Sequence, residues 1–279
     1  MAILKDFQYH APESVDEALD LLRRSGKPVL LAGGTFVLNT LKKAVAYPTD
    51  VIALRKIKAL QGIADTGEGI SIGAMMLLSD IASSPLIRER ASVLARAAAC
   101  VATTPLRHMG TIGGNVASRF FWADLPAALV ALGAKVEWAA GSGKKVLDIE
   151  KFLALKGPDA KGILVRFLIA EKHPVGEYFR HTQAMEVDLP LAALAFAARK
   201  QADGLKDVRL VVNTALSPVV RLKSVESLFE NTKTSRLKEK EAAAALRRDL
   251  EGGKLDDYRL QCLCGDMEAL VERLKRAKT

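Results

Sequence analysis

Two glycine pairs, each preceded by apolar residues, limit what this chain can fold into. The first is in "LAGGT" at residues 31–35 and the second is in "TIGGN" at residues 111–115. Glycine lacks a Cβ atom, so consecutive backbone N–H groups can face outward there and a pyrophosphate can approach the main chain. Thr35, Thr111 and Asn115 can add side-chain hydrogen bonds. Either pair alone fits equally a tight turn between a strand and a helix, which is what most glycine pairs form.

The common nucleotide-binding fingerprints are missing from the sequence. No GxGxxG follows the first predicted strand, and GxxxxGK[ST] does not occur. The nearest mimic, "GSGKK" at residues 141–145, lies between two strand-like runs and predicts a hairpin turn with solvated lysines. A nucleotide-binding protein that uses this segment, with Lys144 on the phosphates, is an alternative, but a P-loop needs the full spacing and a following helix.

Capping and turn signals predict a β-α-β order in the first sixty residues. Ser14 and Glu17 form a capping box before a short helix that ends near Gly26. A strand then leads into the first glycine pair, a helical stretch follows, and a second strand is predicted at residues 51–54.

The pattern changes twice further along the chain. From about Gly62 it predicts a strand, helices rich in small residues, the second glycine pair, another helix and three strands. The polar segment "EKHPVGE" at residues 171–177 predicts a linker. Two more strands and a series of charged helices from Ser224 follow, and the last helix carries Cys262 and Cys264.

Composition excludes several classes of function. The chain has 279 residues, 49% hydrophobic and 26% charged, which is globular. Its three cysteines are few, and an odd number does not suit a disulfide framework. This predicts a reducing, cytoplasmic location. We expect no signal peptide and no membrane span, because apolar runs of ~18 residues are missing. The basic residues behind the net charge of +9 are interleaved with acidic residues, and aromatic residues make up only 5% of the chain. Both features disfavour nucleic-acid binding.

The order and spacing of several motifs resemble the FAD-binding subunit of the molybdenum hydroxylases. This family includes the medium subunit of carbon monoxide dehydrogenase and the FAD domain of xanthine dehydrogenase. The motifs are "AGGT" from residue 32, "IGA" at 72–74, "LRHMGTIGGN" at 106–115, "ADLPAALVALGAKV" at 123–136, "VRL" at 220–222, "ESL" at 226–228 and "DYR" at 257–259. Agreement over some 250 residues is more specific than any single glycine pair.

The resemblance implies an α+β fold. Two α/β subdomains, at residues 1–58 and 59–172, would form the FAD-binding fold, and residues 173–279 would form a C-terminal domain with a small antiparallel sheet and helices.

The resemblance also implies a set of cofactor-binding residues. The first pyrophosphate loop would consist of Ala32, Gly33, Gly34, Thr35 and Phe36, and the second of Thr111, Ile112, Gly113, Gly114 and Asn115. Asp124 would contact the adenosine part of FAD, and Leu164 and Arg180 would lie near the flavin.

Two departures from the family pattern concern this site. Phe36 stands where the family has Asp or Ser, so one polar phosphate contact is missing. The aromatic residues of "SRFFWAD" at 118–124 replace a small, Pro-containing stretch, and we expect them to pack rather than to stack on the cofactor. Phe36 motivates an alternative function, a non-redox assembly subunit with lost or weak flavin binding.

The redox chemistry must come from bound cofactors. Three cysteines cannot fill an iron–sulfur cluster, which needs about four thiolates. The four histidines lack zinc-site spacing, and no catalytic residue is predicted on this chain. The resemblance implies non-covalent FAD here, a small partner subunit with [2Fe–2S] clusters, and a large partner subunit with molybdopterin and molybdenum or tungsten. The flavin would receive electrons from the nearest cluster and pass them to NAD, a quinone or another acceptor.

Overall fold

The computed structural model describes residues 5–43, 45, 47–141, 143–170, 175–184, 188–202, 204–216, 218–253 and 255–276. It divides into two compact units. Unit 1 consists of Met1–Ile81, Thr103–Ser118 and Ala134–Ala170. Unit 2 consists of Ala82–Ala102, Arg119–Gly133 and Glu171–Thr279. This grouping differs from the predicted boundaries at residues 58 and 172, because two inner segments of the chain group with the C-terminal part.

The described residues form twelve strands and twelve α-helices. The strands are β1 (Gln8–His10), β2 (Pro28–Leu31), β3 (Asp50–Ala53), β4 (Ile63–Asp65), β5 (Ile70–Gly73), β6 (Lys135–Ala140), β7 (Gly143–Asp148), β8 (Ile163–Ile169), β9 (Val175–Thr182), β10 (Pro190–Gln201), β11 (Gly204–Asn213) and β12 (Val220–Arg221). The helices are α1 (Val15–Arg24), α2 (Val37–Lys42), α3 (Leu78–Ser83), α4 (Pro85–Arg90), α5 (Ser92–Cys100), α6 (Thr104–Arg107), α7 (Ile112–Ala117), α8 (Leu125–Ala131), α9 (Ile149–Ala154), α10 (Lys223–Phe229), α11 (Glu239–Leu250) and α12 (Asp257–Arg276).

Unit 1 contains two sheets. Strands β1, β3 and β2 form a parallel sheet with β3 in the centre. The predicted β-α-β order is therefore confirmed, with β1 as an additional strand that the sequence did not indicate. The second sheet is antiparallel, in the order β4-β5-β8-β6-β7. The β6–β7 turn pairs Ala140 with Gly143, so the segment that mimics a P-loop is a hairpin, as expected.

Helix α1 shows why the first unit folds as it does. The Ser14 hydroxyl accepts a hydrogen bond from the Glu17 amide at 3.1 Å, which confirms the predicted cap. The Glu17 carboxylate accepts in turn from the amide of Glu13, one residue before the cap. Val15, Ala18 and Leu19 are buried because they recur at helical spacing on one face. That face packs into a core shared with β3 and β8.

Unit 2 is built on the antiparallel sheet β12-β11-β10-β9. Neighbouring side chains of a strand point to opposite faces, and successive residues of β10 are buried. Both faces of this strand are therefore covered. Leu194 and Phe196 join the core formed with α10, α11 and α12. The alternate small residues Ala193 and Ala195 leave room for the other face to contact α5 and α8.

The predicted linker is partly wrong. Residues 175–177 belong to β9 and pair with β10, because Val175 and the residues after it continue the strand alternation. Residues 171–174 lie outside the described part of the chain.

Candidate functional site

The first glycine loop connects β2 to α2 in unit 1. Gly34 has a φ of +74°, a left-handed conformation that favours glycine. The amide groups of Gly33, Gly34 and Thr35 have no acceptor among the residues that the structure describes. The Gly34 carbonyl, in contrast, accepts from the Leu38 amide at 3.0 Å. The loop therefore presents consecutive N–H groups, as the sequence predicts.

The second glycine loop uses its amides differently. It leads into α7, and the Thr111 side chain caps that helix. Each amide from residue 112 to residue 115 has an acceptor inside unit 1: Ile112 donates to Met76 O (2.9 Å), Gly113 to Ala74 O (2.8 Å), Gly114 to Thr111 Oγ1 (3.0 Å) and Asn115 to Thr111 O (3.0 Å). The expectation that the amides of this pair face outward is therefore wrong. The helix cap and the backbone of residues 74–76 already bond them.

Close packing explains two of the four glycines. A Cβ atom on Gly33 would lie 2.0 Å from the carbonyl oxygen of Met109, just before the second loop. A Cβ atom on Gly113 would lie 2.6 Å from the carbonyl oxygen of Ala74 in the "IGA" motif. Both distances are too short for a real contact, so these positions need glycine because another backbone lies against them. The first loop therefore lies against the backbone of Met109 and Gly110, directly before the second loop.

Three of the predicted residues of unit 1 lie in its interior. Thr111 and Ile112 are buried, and the Thr111 side chain serves the cap. Leu164 is 5% exposed in β8, where it pairs with Trp138 of β6. Its location is that of a core residue, and its contact with a flavin stays a prediction.

Phe36 lies directly before α2 and is 51% exposed. Its ring is therefore not part of the core. Phe36 makes no side-chain cap at the start of α2, and the loss of a polar contact to the phosphates at this position stays a prediction.

The remaining predicted residues, Asp124 and Arg180, form an ion pair inside unit 2. Asp124 precedes α8 and is 3% exposed. Its Oδ1 atom accepts from Arg180 Nε at 2.9 Å and from the Tyr178 hydroxyl at 2.7 Å. Arg180 Nη2 also donates to the carbonyl of Asp188 at 2.7 Å. Arg180 therefore is not a surface charge, since it anchors a buried carboxylate.

Burial and charge oppose each other in this cluster. Burial raises the pKa of Asp124, while the Arg180 guanidinium and the Tyr178 hydroxyl lower it. Burial and the nearby Asp124 carboxylate raise the pKa of Tyr178 well above its usual range. Tyr178 thus stays a hydroxyl donor. The sequence reasoning missed it, although Tyr178 and Arg180 are two apart on a strand and so share a face.

The aromatic segment before Asp124 packs partly on itself. The rings of Phe120 and Trp122 stack with their centroids 4.5 Å apart. Phe121 and Trp122 remain 46% and 37% exposed. The stacked pair fits the expectation of packing.

Among the residues that the structure describes, no group of three or more His, Cys, Asp and Glu side chains is placed to hold a metal ion. Within the same residues, no helix has the length and apolar character needed to cross a membrane.

Comparison with known proteins assigns the chain to a class, the flavin-binding subunits of oxidoreductases. Residues 5–169, more than half of the chain, match the family described as the FAD binding domain in molybdopterin dehydrogenase. The chain belongs to this family, which confirms the resemblance and the cofactor, FAD.

Curated relatives carry the same type of subunit name. The medium chain of carbon monoxide dehydrogenase from Hydrogenophaga pseudoflava is 37% identical over 147 residues, which are 52% of this chain and 51% of that protein. This match therefore spans about half the length of the relative. The medium chain of glyceraldehyde dehydrogenase from Sulfolobus acidocaldarius is 27% identical over 79% of this chain and 80% of that protein.

Solved structures confirm the predicted α+β fold over the whole chain. One is a carbon monoxide dehydrogenase from Hydrogenophaga pseudoflava that lacks the Mo-pyranopterin moiety of its cofactor. It matches with a TM-score of 0.84 and 27% identity, covering 99% of this chain and 98% of that chain. Quinoline 2-oxidoreductase from Pseudomonas putida 86 matches with a TM-score of 0.86, covering 99% of both chains, and at 22% identity shows the fold alone.

Proposed function

We propose that this chain is the FAD-carrying electron-transfer subunit of a heteromeric molybdenum or tungsten hydroxylase. Its partners would be a small subunit with [2Fe–2S] clusters and a large subunit with molybdopterin, where the substrate is oxidised. The flavin would accept electrons from the nearest cluster and deliver them to NAD, a quinone or another external acceptor. We also propose a cytoplasmic complex, because three free cysteines suit a reducing compartment.

The observation that carries the proposal is the pair of packed loops in unit 1. The first loop offers the N–H groups of Gly33, Gly34 and Thr35, and consecutive amides of this kind bind anions such as a pyrophosphate. The second loop bonds its own amides and lies against the first. These residues fit the pyrophosphate of FAD. We assign the donation of hydrogen bonds to the first loop and the support of its conformation to the second.

The different roles that we propose for the two loops follow from the hydrogen bonds of their amide groups. Ala32 lies beside the second loop, since a Cβ atom on Gly114 would be 3.9 Å from the Cβ of Ala32. Gly114 and Ile112 hold α7 in place through their bonded amides. The Asn115 side chain is the polar group of the second loop that we propose as a further ligand contact.

FAD, when bound, supplies the one-electron and two-electron chemistry. The residues of this chain bind and orient it. The amides of the first loop would stabilise the phosphate charge by hydrogen bonds without adding a titratable group, so this contact is independent of pH. Asp124 is proposed to contact the adenosine part, and Leu164 and Arg180 the region near the flavin. Arg180 uses Nε and Nη2 within unit 2 and keeps other N–H groups for such a contact.

The first test is the visible absorption spectrum of the purified chain, alone and assembled with its partner subunits. We expect a flavin spectrum, release of FAD on heating, and about one FAD per chain. A colourless chain that assembles correctly and takes up no added FAD would support the alternative, a non-redox assembly subunit.

Electron transfer needs a second measurement. A chemically reduced [2Fe–2S] subunit is mixed with the FAD-loaded chain, and the flavin absorption is followed over time. We expect bleaching that depends on the cluster-containing partner. Lack of bleaching in an assembled, FAD-loaded complex would contradict the electron-transfer role and leave FAD binding intact.

A further inference from the structure

The cluster around Asp124 contains a residue that none of the family motifs includes, Tyr178. Its hydroxyl is 2.7 Å from Asp124 Oδ1, and Arg180 Nε donates to the same oxygen at 2.9 Å. Tyr178 itself is 7% exposed. Its ring is enclosed in unit 2, so the hydroxyl has little freedom to choose another partner. Two donors from β9 therefore fix one oxygen of the Asp124 carboxylate.

The other oxygen of the same carboxylate, Oδ2, differs from Oδ1 in its hydrogen bonding. Asp124 Oδ2 has no donor among the residues that the structure describes, although the residue is only 3% exposed. Oδ2 is also not among the atoms that are buried without a partner, so it stays open to solvent or to a ligand. A nearly buried carboxylate normally has both oxygens hydrogen-bonded, because an unpaired one is costly. This arrangement points to a donor that comes from outside the chain.

We infer that Tyr178 is a positioning residue, which holds Asp124 so that its Oδ2 atom accepts a hydrogen bond from the adenosine part of FAD. The inference rests on the proposed function. Tyr178 does not touch the cofactor in this account. It acts by saturating Oδ1 and so fixing the direction of Oδ2.

The charges around Asp124 determine how the contact depends on pH. From β9 the facing groups are Arg180 and Tyr178, and from α5 Cys100 faces the Tyr178 hydroxyl. From β11 the facing group is the Asn213 carboxamide, which donates to the carbonyl of Ala123 and does not titrate. The Tyr178 hydrogen bond lowers the pKa of Asp124, so its removal raises that pKa further. Since the ionised carboxylate is the acceptor, FAD binding should then weaken at a higher pH than in the unsubstituted chain.

The experiment is a fluorescence titration of the full chain with FAD at a series of pH values. Tyr178→Phe should bind FAD roughly tenfold more weakly, because Oδ2 is then no longer held in the direction of its hydrogen bond to the cofactor. The acid limb of its affinity profile should also move to higher pH. Asp124→Asn should lose the acid limb. Tyr9→Phe, at a tyrosine that is 61% exposed, is the matched control and should behave as the unsubstituted chain.

A merely structural role of Tyr178 predicts a different result. Thermal stability would fall in Tyr178→Phe, but the acid limb would stay where it is, and this outcome would overturn the inference. If Tyr178→Phe does not fold, replacement of Tyr178 by 3-fluorotyrosine keeps the hydroxyl and makes it a stronger donor. The acid limb should then move to lower pH, and an unmoved limb would again overturn the inference.

The proposed function fails in a separate way. If the unsubstituted chain binds no FAD, alone or in its complex, the proposed function and this inference both fall. If it binds FAD and only the tyrosine variants leave the acid limb unmoved, the inference alone is wrong.

Discussion

Gly33→Ala should damage both the stability of the chain and its affinity for FAD. The new Cβ atom would lie 2.0 Å from the Met109 carbonyl oxygen, whereas ordinary contact begins at 3.4 Å. One of the two backbones must therefore move by more than about 1 Å. Overpacking of this kind costs roughly 2–3 kcal/mol. In a chain of this size that corresponds to a fall in melting temperature of roughly 4–12 °C.

The same displacement disturbs the proposed donors. The amides of Gly33 and Gly34 would move relative to each other, and each hydrogen bond lost to a phosphate should weaken binding roughly tenfold. Thermal unfolding of the FAD-free chain gives the stability, and a fluorescence titration gives the dissociation constant. Gly141→Ala is the control, because a Cβ atom there has nothing within 4 Å. A Gly33→Ala chain as stable and as tight for FAD as Gly141→Ala would refute the close approach of the two loops.

Three further predictions concern the helix caps and one pH-dependent pair. Thr111→Val keeps the shape of the side chain but leaves the Gly114 amide without its 3.0 Å acceptor, so the free energy of unfolding in a urea titration should fall by about 1–2 kcal/mol. Unchanged stability would mean that water replaces the cap. Ser14→Ala should cost about 1 kcal/mol in the same assay, through the end of α1, and Ser14→Asp, which can also cap, should restore it. The hydrogen bond that His181 Nε2 donates to the Asp266 carboxylate raises the pKa of His181, so the stabilising effect of this pair is complete below the usual pKa of 6.5 and is lost as pH rises through the raised value. His181→Gln should therefore flatten the fall in stability of unit 2 above that pH, and an unchanged pH profile would show that the pair does not contribute.

Local features of the fold could be predicted because they depend on neighbouring residues. The cap at Ser14, the hairpin at Gly143 and the helix that carries Cys262 and Cys264 each follow from patterns a few residues long. Strand β1 was missed because three residues are too few for a period to show.

Contacts between distant residues could not be predicted in the same way. The Tyr178–Asp124 hydrogen bond joins positions 54 apart in the sequence. The segment "EYFR" does not indicate which carboxylate will accept the hydrogen bond of the Tyr178 hydroxyl. The same holds for α5 and α8, since an alanine-rich helix fits several surfaces and only the tertiary packing selects the β10 sheet.

The glycine pairs show that two of their residues have a structural reason which the sequence pattern does not reveal. The sequence leaves a tight turn or the approach of a ligand open for each pair, whereas in the structure Gly113 faces Ala74 and Gly33 faces Met109. These two glycines let backbones of the same unit meet, and that contact holds the first loop with its amides free. A substitution at Gly113 should therefore impair FAD binding indirectly, by moving the support of the first loop. The two glycine motifs are thus best understood together, and the proposed role of the second loop is to position the amides that the first loop offers.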